Sequence, residues 1–558
     1  MNRRSLFPIL LFAILWTSLN GQNDIFQKIY TGIGSTKCHQ SMMTNDGGIL
    51  MAGFATDDIG IERFFLSKTD CQGNIEWYHL YENTSSLNNP GISISQTSDG
   101  GFFVVYNNGT VQAYDIVAMK LDELGTTQWK NIMLGSRNDK INSALQTIDG
   151  GYLLVGTTNT FGQDNNGSLQ SFRDIYVIRL DSDGTALWSR TFGRPESIEE
   201  AWDVIQTSND LYAITGRYGH NEATYAFLMI LDDEGQMTSS TVYGLGNHRT
   251  IGYGITNAAN GQIVITGSTT VNKADFDVAA DAFLLQADLD GNLIWANSFA
   301  GSDTDGSDIG TSVVPFQNGF ALAMATLSYP TAGFVPNKHV LIQTNAGGDL
   351  IKTISYVNGS AHFPLIHNNQ SQSGLLLSGF SNENSLQFKP HLTRMDNNLN
   401  SSCNDTDLSN LTIQQVPSFD VETPIVNNGM GGSWIILTNQ SSTSSFESIN
   451  TLCEENNTIN CQPIMTGTES LEIIFSVGEA IPNPAIDQVQ MELTVQKSGM
   501  IETEIFSQTG VLLSSNLTSL VSGNQWHSIS LKGLTSGLYI LKMNFDEQVV
   551  SRKVMVMR

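Results

Sequence analysis

The chain has 558 residues, enough for more than one domain and a large core. Only 15% of them are charged, while Gly, Ser, Asn and Thr are abundant, which excludes a helical protein of the Ala/Glu/Lys/Leu type. With 27 basic against 54 acidic residues the formal net charge is −27, a surface that repels a nucleic-acid backbone and excludes nucleic acid as a partner.

Residues 1–21 read as a secretory signal peptide. Arg3 and Arg4 form the basic end, Leu6 to Trp16 the apolar core, and Thr17 to Gly21 the small and polar residues before a cut ahead of Gln22. The apolar run is shorter than the about 20 residues of a membrane span. No other stretch is a candidate, so the mature chain is expected to have no transmembrane segment.

Residues 22–402 are built on a repeat. Its clearest copy opens with Gln146-Thr-Ile-Asp-Gly-Gly-Tyr-Leu-Leu-Val-Gly156 and continues with Asp174-Ile-Tyr-Val-Ile-Arg-Leu-Asp-Ser-Asp-Gly-Thr-Ala-Leu-Trp188. Each half reads as strand, tight Gly turn, strand, because β-branched and aromatic runs are bounded by Asp and Gly. The turn glycine of the second half recurs as Gly73, Gly125, Gly184, Gly235, Gly291 and Gly348, with Leu399 in the last copy. Recurrence at a period of about 50 residues marks a propeller or repeat array. Seven copies of four strands predict an all-β fold, a seven-bladed β-propeller with eight blades as the alternative. Ile25 to Tyr30 matches Trp188 to Phe192 in character, so it is expected to complete the last blade.

Residues 403–476, rich in Ser, Asn and Thr, read as an irregular β linker region. Residues 477–558 show period-two alternation, as in Val489-Gln-Met-Glu-Leu-Thr-Val495, and predict a small immunoglobulin-like β-sandwich.

Two resemblances follow. Ile481-Pro482-Asn483-Pro484-Ala485, Ser507 to Gly510, Leu534-Thr-Ser-Gly537-Leu-Tyr539 and the basic end with Arg552 and Lys553 resemble the type A sorting domain of the type IX secretion system. The resemblance implies export through the periplasm to the outer surface or beyond, with the type IX machinery as partner. Pro482, Asn483, Pro484, Gly510, Gly537, Tyr539 and Lys553 carry the motif. The repeats, with Asn45-Asp-Gly-Gly, Ser98-Asp-Gly-Gly and Ile148-Asp-Gly-Gly, resemble the Asp-Gly-Gly propeller repeats often joined to such a domain.

The Leu-Asp-x-Asp-Gly-x-x-x-Trp element is similar to sialidase Asp boxes and to the tryptophan-docking motif of quinoprotein propellers. It also reads simply as a hairpin turn whose Trp packs between blades. There is no His-Glu-x-x-His, Gly-x-Ser-x-Gly or P-loop sequence, so no catalytic residue is named.

Strand direction puts the two Gly turns of every repeat on one face and the variable loops on the other, where binding usually resides. Asp275, Asp277, Asp303, Asp305 and Asp308 lie in or beside acidic loops on that second face. They are the candidate binding residues, for a cationic group or a calcium-bridged glycan. Calcium is thus the candidate cofactor, though Ser302 to Asp308 lacks the downstream Glu of an EF-hand.

Of the five cysteines, Cys38 and Cys71 fall at opposite ends of a blade. Cys403 with Cys453 would staple the linker, and Cys461 is the rival partner. The leading expectation is a secreted or surface-displayed protein that binds a glycan, protein or matrix component. A polysaccharide hydrolase or lyase is the alternative, and a structural matrix protein without a defined ligand is the third reading.

Overall fold

A computed structural model describes residues 25–401 apart from the loops 32–34, 57–61, 84–90, 111–112, 135–137, 160–172, 194–196, 221–222, 245–247, 271–279, 301–305, 327–337, 357–363, 369–373 and 382–388. It further describes short strands between 406 and 454, and residues 475–557 apart from 478–480, 482–484, 496–497, 508–511 and 546–547. The signal-peptide residues 1–21 lie outside the described residues.

The Gly turns explain themselves in the first three copies. Gly47, Gly100 and Gly150 hold φ of 84°, 86° and 87°, a left-handed backbone that costs an L side chain roughly 1–2 kcal/mol. The preceding carboxylate caps the turn: Asp149 accepts the Thr147 hydroxyl at 2.5 Å and the Gly151 N–H at 3.2 Å. It also pairs with Arg179 at 2.5 Å, as Asp46 does with Lys68 at 2.7 Å and Asp99 with Lys120 at 2.9 Å. The cation lies across the second glycine, where a Cβ on Gly151 would come within 2.2 Å of Arg179 Nη1 and 2.5 Å of the Leu180 carbonyl. Gly150→Ala should therefore cost the left-handed penalty of about 1 kcal/mol. Gly151→Ala should cost ~2–3 kcal/mol, because backbone as well as side chain must move. Urea midpoints of the two variants check this, and the reverse order would contradict it.

The strands assemble into seven antiparallel sheets, each built on four strands, and five of them carry a fifth strand added from the later chain. Sheets 1 to 6 are consecutive in the chain: residues 36–83, 92–134, 139–192, 198–243, 250–300 and 308–356. Sheet 7 takes three strands from 365–395 and its fourth from the N-terminus, where Phe26–Thr31 pairs with Lys389–Met395 in the register Phe26↔Arg394. The second and third strands are buried almost throughout, as in Tyr152–Thr158 and Asp174–Leu180, because a neighbouring sheet covers each face.

Consecutive sheets share apolar cores, and the series closes. One core joins Leu50, Phe54 and Phe64 of sheet 1 to Phe102, Tyr106 and Met119 of sheet 2. Another joins Phe26, Tyr30 and Leu392 of sheet 7 to Ile49, Met51 and Phe65 of sheet 1. A fourth-strand side chain also reaches the next sheet's second turn: Tyr81 OH donates to the Gly125 carbonyl, Asn131 to Gly184, Trp188 to Asp233, Tyr243 to Gly291, Asn297 to Gly348 and Tyr356 to Leu399. Tyr30 OH donates to Gly73 at 2.8 Å and completes the series. The rings of Trp77, Trp129, Trp188 and Trp295 cover Gly125, Gly184, Gly235 and Gly348 of the following sheet, where a Cβ would lie 2.5–3.1 Å away. The tryptophans thus pack between sheets. Leu399 keeps the turn of the degenerate last copy with φ of 66°. This all-β arrangement, without a helix among the described residues, fits a propeller.

The segment after sheet 7 returns along the outer edges in reverse order. Thr406–Asp407 pairs with sheet 6, Thr412–Gln415 with sheet 5, Ser433–Ile436 with sheet 2 and Ser442–Thr443 with sheet 1. Ser448–Glu454 then pairs with the N-terminal strand, so Phe26–Thr31 has a partner on both sides. Each added strand satisfies an otherwise open row of N–H and C=O groups.

Cys38 is a buried free thiol, whose pKa burial pushes up to about 12. Cys71 is disulfide-bonded to a cysteine outside the described side chains. The pairing expected between Cys403 and Cys453 lies outside them too.

A second compact unit begins at Met465. Its three-stranded sheet contains Gln488–Val495, which alternates strictly between exposed and buried, and its four-stranded sheet contains Gly499–Ser507, Gly537–Phe545 and Gln548–Val556. Val489, Met491 and Leu493 of the first sheet share one core with Ile501, Leu541 and Val554 of the second.

Candidate functional site

The first strands of all seven sheets line a central cavity of about 380 Å³. Five of them carry a β-bulge at the same place, between Cys38 and Gln40, Ile141 and Ser143, Ala201 and Asp203, Gly252 and Gly254, and Gly310 and Ser312. A bulge inserts one unpaired residue and re-aims its side chain, which is why bulges gather beside active sites. The inserted residues are His39, Asn142, Trp202, Tyr253 and Thr311, and all five line the cavity. The repeat supplies the same bulged backbone five times with five different side chains.

Trp202 and Tyr253 meet edge to face, with ring centroids 5.2 Å apart and planes at 75°. Trp202 Nε1 is buried and has no hydrogen-bond partner among the described residues. Across the cavity, His367 Nε2 lies 3.0 Å from Ser41 Oγ, and His39 packs against Phe54 and Phe380. Burial depresses the His367 pKa to about 4, so the ring is neutral near pH 7.

Asp203 ties three sheets together. Its Oδ1 accepts the Ser143 hydroxyl at 2.8 Å and the Val204 N–H at 2.9 Å, and its Oδ2 accepts the Ile255 N–H at 3.1 Å. Burial raises its pKa to about 6 against the opposing effect of these donors. A carboxyl whose folded pKa exceeds its unfolded value, about 3.9, binds its proton more tightly when folded. Its stabilising contribution is therefore complete below about pH 4 and lost as pH rises through about 6. Melting temperatures of wild type and Asp203→Asn, compared from pH 4 to 7.5, should differ in slope across that window. Parallel curves would contradict the assignment.

Of the residues expected from sequence to bind, Asp275, Asp277, Asp303 and Asp305 lie outside the described residues. Asp308 is the described member of the set. It opens the first strand of sheet 6, is fully buried, and accepts the Thr326 hydroxyl. Asp139 and Thr158 make the same clip in sheet 3 at 2.5 Å. An Asp at this position holds the first strand to the second instead of facing solvent. Among the described residues, no group of three or more His, Cys, Asp or Glu is placed to hold a metal ion.

In the second unit, Pro482, Asn483, Pro484 and Gly510 lie outside the described residues. The adjoining Ala485 is fixed to the last strand, its N–H donating to the Met555 carbonyl at 2.7 Å and its carbonyl accepting from Met557 at 2.9 Å. Gly537 opens the Gly537–Phe545 strand, Tyr539 is buried with its hydroxyl donating to the Thr535 carbonyl at 2.9 Å, and Lys553 sits in the Gln548–Val556 strand. Residues 479–557 match the secretion system C-terminal sorting domain. The sorting domain marks the protein for export to the cell surface or beyond by the type IX system.

Curated proteins give no match. Among solved structures, the polysaccharide lyase Uly1 aligns over 65% of this chain and 90% of its own at 10% identity and a TM-score of 0.41. A glycoside hydrolase family 43 arabinoxylan arabinofuranohydrolase from Bacillus subtilis aligns over 95% and 96% at 9% identity and a TM-score of 0.26. Neither likeness bears on substrate or activity.

Sequence reasoning passed over the cavity ring. The signal was available: His39, Asn142, Trp202, Tyr253 and Thr311 all stand seven residues before the Asp or Asn of the first turn.

Proposed function

We propose that the protein is a secreted seven-bladed β-propeller that binds a glycan in its central cavity. In this reading residues 1–21 are a cleaved signal peptide and 22–402 are Asp-Gly-Gly propeller repeats. Residues 403–476 join the ring to an immunoglobulin-like sorting domain at 477–558. The observation that carries it is the ring of bulged residues. An indole and a phenol supply apolar faces, while Asn142, Gln40, Ser143 and Asp203 supply hydrogen-bonding groups, the mixture that suits a hydroxyl-rich ring with apolar faces. Seven sheets favour seven blades over eight.

Asp203 supports a second reading, a polysaccharide hydrolase or lyase, because a carboxyl titrating near neutral pH can act as general acid or base. Asp275, Asp277, Asp303 and Asp305 form a further contact surface in both readings, with calcium as the ion they would hold. A glycan array on the mature protein, run beside a hydrolase and lyase panel with and without calcium, tests all of this. Array hits without turnover support the binder, and turnover of a polysaccharide supports the enzyme. No hits in either assay would favour the purely structural role.

A further inference from the structure

The sorting domain closes one flank of its two packed sheets and leaves the other open. At the closed flank the edge strand Gln548–Val556 is met by Ala485, which bonds to both Met555 and Met557, and the strand carries Arg552 and Lys553. The opposite flank is made by Leu512–Leu520, the other edge of the four-stranded sheet, and Gly523–Ser530, an edge of the three-stranded sheet. Only Val521 and Ser522 separate the two strands, so the chain steps directly from one sheet edge to the other. Among the described residues, no strand pairs with either outer edge.

This flank lacks the usual guards. Charged side chains ordinarily blunt an open edge, yet residues 512–530 contain no Asp, Glu, Lys or Arg. Gln488–Val495 alternates strictly between exposed and buried, whereas every residue from Leu513 to Ser519 is at least partly exposed. Leu520 alone of that strand's described side chains reaches the shared core, so the strand overhangs it. Leu517 is 60% exposed, Val521 66% and Trp526 58%. Met500 of the neighbouring strand is exposed too, and its register opposite Ser519 puts it on the face of Leu517. A long, uncharged, apolar edge with a bare row of N–H and C=O groups is a template for one more strand.

We infer that the type IX machinery captures the sorting domain at this flank, adding an extended segment of its own as a strand along Leu512–Leu520. The role of residues 479–557 names the occupant: the domain acts by being taken up by that machinery. Main-chain hydrogen bonds supply the affinity. Leu517 and Met500 select an uncharged strand whose side chains on that face are apolar.

The test uses the full chain in the secreting cell. Leu513→Lys with Leu517→Lys guards the edge with charge at two exposed positions, and the extracellular fraction should fall at least fivefold. Thr494→Lys, exposed on the central strand Gln488–Val495, should leave release unchanged. A thermal melt of the purified variant checks the fold. If the melt is lowered, a photo-crosslinker decides, with p-benzoylphenylalanine in place of Leu517 and the adduct identified by mass spectrometry. The adduct should contain a component of the type IX machinery. Undiminished release of the double Lys variant overturns the inference, as does an adduct formed only with a second copy of this chain or no adduct at all. The chain without residues 477–558, run in parallel, separates two failures. If truncation stops release and the Lys changes do not, only the edge assignment falls. If neither stops it, the sorting assignment falls as well.

Discussion

Removing residues 477–558 should leave the protein in the periplasm, with the extracellular fraction reduced to background. The sorting domain folds around its own core, from Val489 to Val556, and is a compact unit distinct from the repeats. Its loss therefore should not unfold the rest. Immunoblots of medium, surface and periplasmic fractions, with a melt of the retained protein, separate lost sorting from lost folding. Normal release of the truncated chain would contradict the assignment.

The second large effect concerns closure. Phe26 and Tyr30 are 1% and 0% exposed in the core that joins sheet 7 to sheet 1, and Tyr30 also donates to the Gly73 carbonyl. Lys28 Nζ donates to the Gln72 carbonyl at 2.5 Å, and Gln27 to Ser401 at 2.6 Å. Truncating a buried aromatic costs about 3–5 kcal/mol. Phe26→Ala with Tyr30→Ala thus removes a large share of the 5–15 kcal/mol typical of a folded domain. The double variant should lose its cooperative urea transition at the wild-type midpoint and become protease-sensitive between residues 25 and 31. An unchanged midpoint would mean that this strand does not hold the ring.

The sequence made the regular parts of the fold legible because local chemistry specifies them. The left-handed Gly150, the Asp149 cap and the Arg179 cation across Gly151 are a self-contained device, and three copies announce a repeat. The N-terminal strand was legible from its likeness to Trp188–Phe192. The cavity was legible only as a constant spacing of seven residues to the turn Asp or Asn, since a bulge at Asn142 or Trp202 is a property of register between two strands and leaves no mark on composition. Asp308 shows the ambiguity of composition, because Asp serves equally well in an acidic loop and as a clip to a neighbouring Thr. The strands between 406 and 454 were hidden for a third reason: the sheet edges they pair with define them, more than any periodicity of their own.

The central functional claim is that ligand enters the ring of bulged residues. Its most direct test is one glycan array probed in parallel with wild type and a Trp202→Ala, Tyr253→Ala variant whose melt confirms a closed ring. The account predicts that glycans bound by wild type lose at least nine-tenths of their signal with the variant. The same glycans bound at the same strength by both proteins would place the ligand elsewhere and contradict it.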